Sequence, residues 1–90
     1  MDPVVVNDPF TEEIKQKIMP LIKKIPDVKN IHDFRVVKGP THTNIIFDVL
    51  MNIECKKSDD SIKKEVIDII KNIDNSYNAV ITIDRDYINY

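Results

Sequence analysis

Hydrophobic residues along this 90-residue chain recur with two different periods, and each change of period marks an element. Ile14, Ile18, Leu21, Ile22 and Ile25 fall at i, i+4, i+7, i+8 and i+11, which is one apolar stripe of an α-helix. Asp8 or Thr11 can cap this helix, Pro9 suits an early position, and Glu12 and Glu13 complement the N-terminal dipole. Pro20 has no N–H to bond Gln16, so a kink or a split is expected there, and Pro26 ends the element. The same spacing returns in Ile62, Val66, Ile69, Ile70 and Ile73, with Ser58 as the expected cap and Asp59 and Asp60 in the first turn. Two helices with one apolar stripe each need a sheet face to cover.

Elsewhere the period drops to two. Residues 31–37 and 43–53 read as strands around a turn at Gly39-Pro40, forming a hairpin. In the second strand Ile45, Phe47, Val49, Met51 and Ile53 are expected to face inward, and Ile46, Asp48, Leu50 and Asn52 outward. Gly39, the one glycine, is expected to supply a backbone angle that other residues avoid. Residues 79–84 make a closing strand. The order α-β-β-α-β predicts an α+β fold, a ferredoxin-like or metallochaperone-like sandwich with helices on one face of a small mixed sheet. Residues 10–90 form that domain, and 1–9 a tail or a short edge strand at 4–6.

Composition narrows the function classes. With 42% apolar and 31% charged residues the chain belongs with soluble globular domains. A net charge of −2 has the wrong sign for a nucleic-acid footprint, so no nucleic-acid partner is expected. One cysteine, Cys55, excludes an internal disulfide framework and fits a reducing compartment. No apolar run approaches the roughly 18 residues that cross a bilayer. A lone glycine excludes glycine-rich phosphate loops, and Ser58, Ser61 and Ser76 read as caps or loop residues, not nucleophiles. The chain is not expected to be an enzyme.

Four residues depart from this background: His32, Asp48, Asp84 and Asp86, each on or just beyond a strand, where carboxylates are disfavoured. Asp84 and Asp86 are two apart and point the same way if the strand continues. Imidazole plus carboxylates is a divalent-cation ligand set, although aspartates on surface strands also serve solubility and edge protection. Arg35 and Arg85 are available as ion-pair partners. His42, in or beside the turn, lies roughly 20 Å from His32 at strand spacing and cannot share one ion with it.

The segment Val28-Lys29-Asn30-Ile31-His32-Asp33-Phe34-Arg35 resembles the "V-x-x-x-H-D-hydrophobic-R" opening strand of cation diffusion facilitator C-terminal domains. Gly39-Pro40-Thr41-His42-Thr43-Asn44, followed by Ile45-Ile46-Phe47-Asp48-Val49, is similar to a hairpin of a bacterial branch of that family. Val80-Ile81-Thr82-Ile83-Asp84-Arg85-Asp86-Tyr87 stands where the family has a terminal strand ending in "H-x-D". The resemblance implies a cytoplasmic regulatory and dimerisation domain below a membrane-embedded divalent-cation exporter, with metal at the dimer interface.

The family's ligands carry over residue by residue. Its opening-strand histidine matches His32, its second-strand histidine falls on Asp48, and its "H-x-D" pair falls on Asp84 and Asp86. A ligand from the start of the second helix is absent, since that region offers Ser61. The replacements make the implied site harder and oxygen-rich, so manganese, iron or cobalt would compete with zinc. The resemblance also implies a homodimer, and Ile46 and Leu50 beside Asp48 are the apolar surface a second copy would cover. A stand-alone metal-binding protein and a structural dimerisation module without metal remain alternatives.

The hairpin register is left open. If His32 faces Asp48 in a regular ladder, Asp33 and Arg35 fall on the core side with Phe47 and Ile45. A bulge in the first strand resolves the conflict, and so does a hairpin shifted by one residue, which separates the ligands.

Overall fold

The computed structural model describes residues 9–86. The run at 4–6, the Asp8 cap and Tyr87 lie outside the described residues. Within them the order is α1 (Pro9–Lys23), β1 (Val28–Lys38), β2 (Thr43–Asn52), α2 (Asp59–Ile73) and β3 (Tyr77–Asp86). β2 is central, antiparallel to β1 and parallel to β3, so α2 is the crossover of a β-α-β unit. The α+β sandwich expected from the element order is the fold observed. All three strands differ from the predicted limits by one to three residues at an end, where hydrophobic alternation is weakest.

Both helices bury one line of side chains at i, i+4 and i+8: Ile14, Ile18 and Ile22 from α1, and Ile62, Val66 and Ile70 from α2. These lines meet Ile45, Phe47, Val49 and Met51 of β2, all fully buried. α1 packs on β1 and α2 on β3, leaving β2 beneath both. Because burial advances four residues at a time, the i+7 residue Leu21 is carried to the rim and is 36% exposed. Pro20 sits on the exposed side of one continuous α1 and does not split it. The helix stops at Lys23 in a tight turn, with Lys24 N–H donating to the Leu21 carbonyl and Ile25 N–H to that of Ile22, ahead of Pro26. Thr11 lies inside α1 and not at a cap position. The α2 cap is as expected, with Ser58 Oγ accepting the Ser61 N–H at 3.1 Å.

Two further expectations need correction. Ile53 is not a core residue: β2 ends at Asn52, whose side chain accepts the Glu54 N–H, and Ile53 turns out to 47% exposure. Gly39 does not adopt a left-handed backbone. The constraint at Gly39 is a close approach, since its N–H donates to the His42 carbonyl at 2.9 Å and a Cβ would stand 2.8 Å from that same oxygen.

Candidate metal centre

The sheet has one face under the helices and one facing away, and the predicted ligands lie on the second. On β2 the alternation is complete: Ile45, Phe47, Val49 and Met51 are buried, while Ile46, Asp48, Leu50 and Asn52 are half-buried on the outer face. The ladder places His32 directly opposite Asp48 on one side and Thr82 opposite it on the other. One row further, Asn30, Leu50 and Asp84 stand together, and beyond them Asn52 pairs with Asp86.

The open register question is resolved by a bulge. The ladder shifts between His32 and Arg35, and Asp33 takes a left-handed backbone with φ of 55°. Aspartate tolerates that conformation better than most residues, because its short side chain can bond locally. The extra residue lets His32 face outward at Asp48 while Phe34 faces inward and stacks on Phe47, with ring centroids 5.4 Å apart. Strict two-residue alternation would have sacrificed one contact for the other.

Asp33 is the residue that sequence reasoning missed. Its carboxyl lies within hydrogen-bonding reach of Asp48, which is also close enough to Asp84 to feel its charge. Burial, then the Asp33 charge and its hydrogen bond, then Asp84, push the Asp48 carboxyl above its ordinary value, with His32 offsetting part of the rise. His32, Asp33, Asp48 and Asp84 therefore form one electrostatic neighbourhood. A polar residue able to adopt a left-handed conformation, set inside a β pattern, was the available signal.

Asp86 is set apart. Ladder spacing puts its Cα about 13 Å along the strands and about 10 Å across them from His32. Its carboxylate is ion-paired with Lys29 of β1, on the far side of β2. Arg85, between the two aspartates, does not neutralise either of them. It turns to the helix side, donating to the Cys55 carbonyl at 2.8 Å, the Lys57 carbonyl at 2.7 Å and Asp59 Oδ1 at 2.9 Å. Arg35 makes no ion pair among the described residues.

The donor chemistry, one imidazole and several carboxylates, suits a divalent cation of the manganese-to-zinc series. In a single copy, however, the described residues contain no group of three or more histidine, cysteine or acidic side chains arranged to hold an ion. The outer face also carries Ile46 and Leu50, with Val37 at 50% and Val80 at 47% exposure nearby. No helix among the described residues is long and apolar enough to cross a membrane.

No protein-family model matches the chain, and no curated protein matches it significantly. Among solved structures it is similar to the C-terminal domain of the magnetosome protein MamB from Desulfamplus magnetovallimortis BW-1, with TM-score 0.75 and 18% identity over 87% of this chain and 99% of that one. The metal-bound C-terminal domain of the CzcD transporter from Thermotoga maritima matches with TM-score 0.68 and 16% identity over 88% of this chain and 92% of that one. The cytosolic domain of a cation diffusion facilitator family protein matches with TM-score 0.66 and 16% identity over 87% and 93%. The chain thus has the fold of cation diffusion facilitator cytoplasmic domains, as the resemblance in its opening strand, hairpin and closing strand implies.

Proposed function

We propose that this chain is the cytoplasmic regulatory and dimerisation domain of a divalent-cation efflux transporter, and that it binds its cation on the outer sheet face. One observation carries the reading: a bulge places His32 opposite Asp48, beside the carboxylates of Asp33 and Asp84. Such a cluster repels itself, and a divalent cation relieves that repulsion. The fold shared with a metal-bound transporter domain supports the same reading.

The site lacks ligands in one copy, and the surrounding apolar surface supplies the reason for two. Ile46 and Leu50 flank Asp48, so a second copy laid across this face covers them and brings further donors to the ion. His32, Asp48 and Asp84 are the proposed donors of one copy, with Asp33 beside them; Asp86, paired with Lys29 further along the same face, lies too far from His32 to share their ion within that copy. Oxygen donors predominate, which favours manganese, iron or cobalt relative to zinc. The domain performs no catalysis and moves no ion itself; it reports ion occupancy to a membrane-embedded portion of the same transporter.

A structural dimerisation module without metal is the second reading, favoured because the described residues of one copy hold no group of three or more potential ligands. Calorimetric titration with manganese, cobalt and zinc separates the two. Saturable binding that is lost in His32→Ala supports the metal reading, and no heat with any of the three ions supports the structural one.

A further inference from the structure

Charge divides the outer face into two halves along the strands. One ladder row holds Arg35, Ile46 and Val80; the next, about 7 Å on, holds His32, Asp48 and Thr82. From the His32 row onward come all the carboxylates of the face: Asp33, bulged beside His32, then Asp48 and Asp84, and last Asp86 with its partner Lys29. On the other side the rows run out through Val37, Asn44 and Asn78, and Arg35 is the one charged side chain of that half among the described residues. Arg35 and Asp33 are both exposed, and neither makes an ion pair among the described residues.

Sheets packed face to face keep their strands aligned to within about 30°, which leaves a second copy two ways to sit on this face about a two-fold axis. An axis along the strands lays β1 over the partner's β3 and each row over the same row, so acidic half meets acidic half. An axis across the strands lays β1 over the partner's β1 and reverses the row order, so each acidic half meets the half that holds Arg35. If that axis passes between the Ile46 and Asp48 rows, Arg35 stands over the partner's Asp33 and Asp84 over the partner's Asn78. Ile46, beside the axis, is covered by both copies.

We propose that two copies pack outer face to outer face about an axis crossing the strands, with Arg35 of each copy neutralising Asp33 of the partner subunit. The inference rests on the dimerisation part of the reading above and names the contact that orients the dimer. Symmetry makes the ion pair twice, so each interface gains two. The pairing uses Asp33, which is not one of the proposed donors, and leaves His32, Asp48 and Asp84 to the ion.

The test is sedimentation equilibrium at low salt, in chelator, of wild type, Arg35→Gln, Asp33→Asn and the double variant. Asparagine tolerates the left-handed backbone at position 33, so the bulge survives that substitution. Each single substitution is expected to weaken dimerisation about three- to thirtyfold, the scale of two exposed ion pairs, and the double variant to weaken it no further. Fully additive losses in the double variant would overturn the pairing. Equal dimerisation of wild type and Arg35→Gln would also overturn it, while leaving the dimer standing. A wild type monomeric in chelator and dimeric with manganese would overturn the pairing and spare the dimerisation reading; a wild type monomeric in both would overturn both.

Discussion

His32 and Asp48 face each other across the β1–β2 ladder on the open side of the sheet, and the backbone of Asp33 makes this possible. The neighbouring pair, Phe34 and Phe47, stacks on the closed side. A strand with perfect alternation can satisfy one of these contacts and not the other. The single bulged residue joins a polar cluster outside to an aromatic core inside, so a change at Asp33 acts on both.

Backbone geometry at Asp33 gives the first prediction. A φ of 55° is open to glycine and disfavoured for a β-branched residue. Asp33→Val is therefore expected to be less stable than Asp33→Gly by about 1–2 kcal/mol in urea unfolding. Equal stabilities would mean that the bulge is absent in solution.

Asp48 gives the second. Its carboxyl is raised chiefly by burial and next by Asp33, so the folded chain holds that proton more tightly than the unfolded chain does. The stabilising contribution is fully present below the unfolded value near pH 4 and is lost as pH rises through the folded value. Asp48→Asn is expected to melt above wild type at neutral pH, with the gap closing as pH falls toward 4. A gap that widens on acidification would refute the assignment.

The element order and most of the core were readable because both depend on local periodicity. Spacings of three and four located the Ile14 and Ile62 stripes, and alternation located β2. The outward face of Asp48 followed from the same alternation, whereas that of His32 did not, because alternation alone left the hairpin register open. What escaped was non-local or non-periodic: the choice of a bulge over a shifted hairpin and its place at Asp33, the Lys29 reach to Asp86, and the Arg85 hydrogen bonds to the β2–α2 connection. Ile53 was misplaced because alternation does not announce where a strand stops.

The apolar part of the outer face gives the third prediction. Ile46→Lys or Leu50→Lys is expected to convert a homodimer to monomer in sedimentation while the helical circular-dichroism signal is unchanged, since both side chains point away from the core. A wild type that stays monomeric up to near-millimolar concentration would remove the dimer from the account.

The fourth prediction is the most direct test of the central claim, that the outer sheet face binds a divalent cation. Melting curves of the wild-type domain are expected to shift upward with manganese or cobalt, and the shift should grow with ion concentration, because the ion binds only the folded state. Asp48→Ala and Asp84→Ala are each expected to abolish the shift, and to leave the ion-free protein as stable as wild type or more so by removing repulsion. A wild-type melting temperature that stays fixed at millimolar manganese, cobalt and zinc would contradict the claim and leave the fold as a structural dimerisation module.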